Sequence, residues 1–458
     1  MRLHAVGPGP EPLENSRPAR TRSFGEAVLD GLAPGGGLYL PSGFTTVPAT
    51  EIASWRGFPI AEIAVRVLAR LLGDEFGSAR LEPLTRDAFS FASRLVPTED
   101  GISVLELFHG PTLAFKDFGA RFLGRVFGAL LAERGDHATI LVATSGDTGS
   151  AVAHGFHAVP NLQVVVLYPD GKVSRFQEAQ MATLGGNVRA LKVPGVFDDC
   201  QRLVKTAFCD ESLASLHLSS ANSINVGRLL PQSVYYFHAL LSVPHEAAGP
   251  SLLPETIFSV PSGNLGNLTA GVIAQRMGLP AARFLAACNV NDVLPEFLRT
   301  GTYRARPSVA TASNAMDVGN PSNFVRLAAL HGDSMEEMRA NLAGYRVDEA
   351  ETRATIREVY RRTGYVLDPH GAVGYAAALR YRAETGDRRP IVTLATAHPA
   401  KFSDVLREEL GFEPALPAEY TGWESRPILA QALSDARYET FKEWLEGLKA
   451  GGPANHRA

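Results

Sequence analysis

TILVATSGDTGSAVAHGFH, residues 139–157, decides the fold. Its first five residues are apolar and β-rich, the middle is a glycine turn, and the rest reads as a helix over 148–157. A short run apolar on both faces, then a tight turn, then a helix, is the repeating unit of a parallel sheet covered on both sides. Working outward, residues 164–168 form the next strand, followed by a helix through Gln180, a strand over 188–193 and a helix through Phe208. A second series opens with a strand at 256–260, again followed by a glycine turn and a helix, and 284–288 and 391–395 supply further strands. This alternation predicts an α/β protein with two open, mostly parallel sheets and helices on both faces. The first 95 residues read as helix and loop, with a helix from Ser23 to Leu32 ended by the breaker cluster APGGGLY at 33–39. The chain therefore divides into a loosely ordered arm (1–22), an N-terminal helical region (23–95), a lobe at 96–250 and a second lobe at 251–458.

Composition narrows the function. Hydrophobic residues at 45% and charged residues at 20% give the balance of a soluble globular chain. A formal net charge of -4 provides no overall attraction for nucleic acid or an anionic membrane, so an anionic ligand must be caught by a local site. Three scattered cysteines, Cys200, Cys209 and Cys288, form no CxxC pair and read as reduced, buried thiols rather than disulfides or metal ligands. No apolar run is long enough to span a bilayer, and the first residues, with Glu11 and Glu14, resemble neither a secretion signal nor a transit peptide. The expected location is the cytoplasm.

Lys116 is the first candidate for chemistry. In HGPTLAFKDFGARF (109–122), Pro111 and Thr112 mark the start of a helix, and Phe115, Phe118, Phe122, Leu123, Val126, Phe127 and Leu130 then recur at helical spacing. An ammonium pressed among these side chains loses hydration, which lowers its pKa and favours a neutral amine able to attack an aldehyde. The bland alternative is a solvated lysine whose stem lies on the phenylalanines.

Two glycine turns each join a strand to a helix: ATSGDTGSA at 143–151 and VPSGNLGN at 260–267. Glycine lets the backbone close on a ligand, and the following helix offers unpaired N–H groups and the positive end of its dipole. Two such ends can hold two anions. Neither turn matches GxGxxG or GxxxxGK[ST], so dinucleotide binding and P-loop chemistry, including that of a nucleotide-dependent kinase, have no support. The bland alternative for either turn is an ordinary capped connection.

In order along the chain, HGPTLAFKDFGARF, ATSGDTGSA, SANSINVGR (220–228), VPSGNLGN and TAHPAKF (396–402) resemble the threonine synthases of the bacterial and fungal type. These are fold type II, tryptophan-synthase-β-like pyridoxal-phosphate enzymes. SFGEAVLDGLAPGGGLYLP at 23–41 is similar to that family too, so the likeness runs from about residue 23 to beyond 410. The resemblance implies pyridoxal 5'-phosphate linked covalently to Lys116, with its phosphate cradled by Gly263, Asn264, Leu265, Gly266 and Asn267. It implies that Thr144, Ser145, Gly146, Thr148 and Gly149 meet the substrate carboxylate and that Asp147 lies at the cofactor's phenolic edge. Thr396 would face the pyridine nitrogen, a neutral group that leaves it unprotonated. Asn222, Ser223 and Arg228 would receive the phosphate of O-phospho-L-homoserine, a task suited to the planar guanidinium fork. The implied reaction makes threonine and phosphate from that substrate and water, with no metal. The oligomeric state, monomer or dimer, stays open.

Two departures from the family stand out. Position 267 is Asn where Asp is expected, which leaves a cradle of backbone amides intact, and ArgThrArg at 20–22 replaces the usual SerThrArgGly. Asp147 keeps a second reading as cap of the helix at 148–157. His109 and His398 are each either an acid–base group or a loop-ordering histidine. Lys172 reads as a solvated turn lysine, and Glu336, Glu337 and Arg339 as a polar helix face. Two other outcomes remain: a phospho-lyase releasing 2-oxobutyrate with the same cofactor, and a non-catalytic paralogue, against which the intact lysine and both turns argue.

Overall fold

Strands that are apolar at every position can be covered on both faces, and the two large sheets are centred on such strands. Ala138–Ala143 and Thr256–Pro261 are buried at each of their positions in the computed structural model, which describes residues 1–7, 21–244 and 252–450. Ala138–Ala143 lies between Leu162–Pro169 and Leu218–Ser220. With Val188–Val193 and Gln431–Ala432 beyond, it forms a parallel five-stranded sheet. Thr256–Pro261 lies in a six-stranded sheet ordered Leu342–Arg346, Ala281–Cys288, Thr256–Pro261, Ile391–Ala395, Ile102–Glu106, Arg94–Pro97. All but Arg94–Pro97 run parallel. The predicted α/β architecture, two mostly parallel sheets clothed in helices, is the one observed.

Sheet membership does not follow chain order. Ile102–Glu106 falls in the segment assigned from sequence to the first lobe, yet it pairs in register with Ile391–Ala395 of the other sheet. Gln431–Ala432 crosses the opposite way, onto Leu191 and Lys192. Such pairings are set by partners hundreds of residues away, which local periodicity does not report. At the N-terminus, Arg2–Val6 is a strand rather than loose arm, because Leu3 is fully buried and its backbone pairs with Leu38–Pro41 and Arg22–Ser23. Residues 8–20 of the predicted arm lie outside the described residues. The region after it is helical as read: Phe24–Asp30 starts on a Ser23–Glu26 capping box, and Ile60–Phe76 buries Ile60, Ile63, Ala64, Val67, Leu68, Leu71 and Leu72 along one face. Cys200 and Cys288 are buried, but Cys209 is exposed, since it ends the helix Phe197–Phe208.

The lysine helix, Lys116–Arg134, buries Phe118, Phe122, Leu123, Val126, Phe127 and Leu130. Each fully buried side chain of that size contributes roughly 1.5–3 kcal/mol relative to exposure, so the helix is firmly seated. It starts at Lys116, four residues later than Thr112, because residues 111–115 serve another purpose. The Asp117 carboxylate reaches back to accept from the Thr112 N–H (2.8 Å) and hydroxyl (2.6 Å), and Leu113 takes a left-handed turn. The lysine helix then packs against Asp147–Phe156 at van der Waals closeness. A Cβ on Gly155 would lie 2.8 Å from the carbonyl carbon of Ala120, one turn beyond Lys116. Only glycine permits that approach.

Candidate active site

Both glycine turns sit at the carboxyl ends of central strands, and the lysine loop is pinned between the two sheets. Its backbone is tied to the end of Ile391–Ala395: Leu107 donates to Ala395 (3.1 Å), Phe115 to Thr396 (2.9 Å), and His398 to Leu113 (3.0 Å). On the other side, Gln180 donates from its amide to the Thr112 carbonyl (3.1 Å). Lys116 emerges half-buried from this knot. Burial pushes its amine down to about 8, opposed by the Asp147 carboxylate and reinforced by Lys401 and Arg228. Burial and the neighbouring Lys401 and Arg228 charges favour the desolvated amine over the solvated lysine.

In the first turn, Gly146 at φ 141° sits where no other residue is comfortable. The Thr144 hydroxyl oxygen accepts from the N–H of Gly146 (2.9 Å) and of Gly149 (2.8 Å), which folds the turn tightly. Ser145 and Thr148 are half-buried beside it. The helix begins at Asp147 itself, and the Asp147 carboxylate does not cap it. It takes the Lys401 ammonium at 2.5 Å and the Gln177 amide at 3.1 Å. Burial alone would raise this carboxyl, but the Lys401 and Lys116 ammoniums hold it well below the usual carboxylate range. A buried pair of this kind loses about 3–5 kcal/mol if one partner is removed.

The second turn is built differently. Leu265 adopts a left-handed conformation at φ 60°, which points the chain into the helix Gly266–Arg276. The Asn267 side chain is spent within the turn. Its oxygen accepts from the Ser262 hydroxyl (2.6 Å) and the Leu268 N–H (3.0 Å), and its NH₂ donates to Pro261 (2.8 Å). Gly263 backs onto the chain at Met316, whose Cα a Cβ would meet at 2.7 Å. Asn264 links this turn to the SANSINVGR segment, donating to the Ser223 hydroxyl at 2.5 Å.

Arg228 is 3% exposed and donates to the Ala221 carbonyl (2.7 Å), and burial lowers it to about 10 despite the Asp117 charge. Its Nε, like the Asn222 Oδ1, is buried with no hydrogen-bond partner among the described residues. Two polar atoms left unpaired in the same segment are costly unless a ligand completes them.

These residues therefore converge: Lys116, the 144–149 turn, Thr396 and Arg228 on one side, with Asn222, Ser223 and the 263–267 turn adjoining. Other candidates do not join them. Lys172 is exposed, as are Glu336 and Glu337, and Arg339 donates to the Leu298 carbonyl (2.7 Å). His109 has a carboxylate partner that was not evident in the sequence, Glu106 at 2.7 Å. His398 packs edge-on to Phe108, and burial holds it down to about 4.

Comparison with known proteins decides the family. Residues 94–397 match the profile described as pyridoxal-phosphate dependent enzyme, residues 15–89 the threonine synthase N terminus, and residues 371–444 the threonine synthase C-terminal profile. The chain belongs to the threonine synthase family. The Serratia marcescens threonine synthase is 42% identical over 93% of this chain and 97% of its own length, and that of Escherichia coli (strain K12) is 43% identical over 90% and 94%. The solved structure of PLP-bound threonine synthase from Brucella melitensis superposes with a TM-score of 0.88 at 38% identity, covering 98% of this chain and 99% of that one.

The family's cofactor is pyridoxal phosphate, and the residues present fit it. A half-buried amine of lowered pKa suits an aldehyde, and two helix starts suit two anions. The orphaned Asn222 and Arg228 atoms suit a further ligand oxygen. Residues the sequence reading did not single out complete the site. Arg326, fully buried, donates to the carbonyls of Ser223 (3.3 Å) and Ile224 (2.6 Å). Asn323 donates to that of Asn264 (3.0 Å). His370, paired with Asp368 at 2.8 Å, accepts from the Ala315 N–H and so steadies the loop behind Gly263. Lys401 belongs to TAHPAKF (396–402), but its partner Asp147 is remote in sequence.

Proposed function

We propose that the chain converts O-phospho-L-homoserine and water into L-threonine and phosphate. The observation that carries the reading furthest is the pairing of a desolvated Lys116 with a buried, incompletely bonded Arg228. The names of its relatives, threonine synthases over nearly their whole length, favour the same reaction. Pyridoxal phosphate, when bound, supplies the electron sink that draws charge away from the substrate's α-carbon.

The surrounding geometry supports the following roles for this chain's residues. Lys116 holds the cofactor covalently and, once released, takes the α-proton onto its Nζ. An amine near pKa 8 can accept a proton and return it at neutral pH. The amides of Gly263, Asn264, Leu265, Gly266 and Asn267, at the start of Gly266–Arg276, hold the cofactor phosphate, and Thr396 faces the ring nitrogen. Thr144, Ser145, Gly146 and Thr148 orient the substrate carboxylate at the start of Asp147–Phe156. Asn222, Ser223 and Arg228 grip the substrate phosphate and keep it after it leaves Cγ, close to the water that adds at Cβ. A charge-assisted contact from Arg228 is worth about 1.5–3 kcal/mol. Cytoplasmic action belongs to the same proposal; among the described residues no helix is long and apolar enough to cross a membrane.

The test is a visible spectrum of the purified protein, then addition of phosphohomoserine with amino-acid and phosphate analysis. Threonine and phosphate in equal amounts are expected. Release of 2-oxobutyrate instead would assign the chain to the phospho-lyase outcome. Lys116→Ala should lose the absorbance of protein-linked cofactor, and its persistence would refute the assignment of Lys116.

A further inference from the structure

Lys401 has no part in the chemistry just described, yet it is the most deeply placed ammonium near the site. It follows Thr396 in the short turn Pro399–Phe402, and its side chain is 0% exposed. Its Nζ reaches Asp147 at 2.5 Å and the Thr112 carbonyl at 2.9 Å. Those contacts join three segments that share nothing in sequence: the end of Ile391–Ala395, the start of Asp147–Phe156, and the loop leading into the lysine helix. Lysines are almost never buried without a paired charge, and here the pair stands beside Lys116.

We propose that Lys401 is a positioning residue that neutralises Asp147, so that the 144–149 turn can accept an anion beside Lys116. The inference rests on the proposed cofactor and substrate reading of this site. An unpaired Asp147 would repel both a substrate carboxylate and the cofactor's phenolic oxygen, and it would hold a proton on Lys116. Paired with Lys401 it presents no net charge, while the Gln177 amide, donating to the same carboxylate oxygen, fixes its direction. The charged groups acting on Lys116 are Asp147, Lys401 and Arg228. Those acting on Asp147 are Lys401, Lys116 and His370. Lys401 adjoins both the acid and the lysine loop's backbone.

The test uses full-length, cofactor-free protein and follows the pH dependence of pyridoxal 5'-phosphate capture by absorbance, together with steady-state kinetics. Lys401→Gln should move the capture midpoint up by about one pH unit, the direction expected when a neighbouring like charge is removed from an amine. It should also raise KM for phosphohomoserine by about tenfold or more. The neutral double variant D147N/K401Q should bring the midpoint back toward that of the parent protein, a return that a general packing defect would not produce. An unchanged midpoint in K401Q, or a double variant displaced as far as the single, overturns the proposal. Should K401Q fail to fold, D147N/K401Q carries the test alone: a midpoint close to the parent's supports the pairing, and an upward shift refutes it. Loss of capture in K116A separates the two readings. If K116A still captures cofactor, the site itself is misassigned. If K116A does not and K401Q behaves as the parent, only the role of Lys401 falls.

Discussion

Gly155→Ala tests whether the close crossing of two helices sets the position of the reactive amine. The added Cβ would lie 2.8 Å from the Ala120 carbonyl carbon, 2.9 Å from its oxygen and 3.0 Å from the Arg121 nitrogen. Carbon atoms settle at about 3.5–4.0 Å, so the helices must part by roughly 0.7–1.2 Å. All three contacts are backbone, which cannot rotate away. Overpacking of this kind costs about 1–3 kcal/mol, against a gain of roughly 0.5–1 kcal/mol from replacing a helical glycine. The net effect is a lowered thermal midpoint. Because Ala120 lies one turn from Lys116, the displacement reaches the amine, and a misplacement near 1 Å can reduce kcat by about 100-fold. Gly73→Ala is the internal control: it lies inside the helix Ile60–Phe76, an added Cβ would meet nothing among the described residues within 4 Å, and it should raise the midpoint slightly and leave kcat alone. If G155A matches the parent in both midpoint and kcat, the helix crossing does not position Lys116.

Arg228→Ala should raise KM for phosphohomoserine about 10- to 100-fold, the equivalent of one lost charge-assisted contact; unchanged KM and kcat would remove Arg228 from the site. Capture of unphosphorylated pyridoxal by cofactor-free protein should rise with pH and reach half its maximum near pH 8, since the amine attacks only when neutral and burial has lowered its pKa to about 8. A midpoint near that of an ordinary lysine would show that Lys116 is solvated.

Much of this was legible from residues alone. The strands at 139–143, 164–168, 188–193, 256–260, 284–288 and 391–395 announced themselves because central parallel strands are apolar on both faces. Leu342–Arg346 did not, since it is an edge strand with Gly344 and Arg346 in a run of five. Ile102–Glu106 was missed because its glutamate and serine dilute the apolar signal. Pro111 and Thr112 resemble a helix start, but Asp117 recruits Thr112 into a turn, and Phe115, just before the lysine, is tied to Thr396, so the helix begins later. The anion turns were visible because glycine spacing is local. The Lys401–Asp147 pair was invisible because it spans sequence positions that only the assembled sheets bring together.

The placement of Ile391–Ala395 bears on how the molecule is made. That strand sits between Thr256–Pro261 and Ile102–Glu106, and so separates the early part of its sheet from the middle part. On the ribosome, residues 94–106 must wait, without their parallel neighbour, until synthesis has passed residue 395. The Phe115–Thr396 tether waits equally long. The lysine loop thus gains its final tether only once residue 396 has emerged, and a nascent fragment ending before residue 391 would expose unpaired strand borders rather than an assembled pocket.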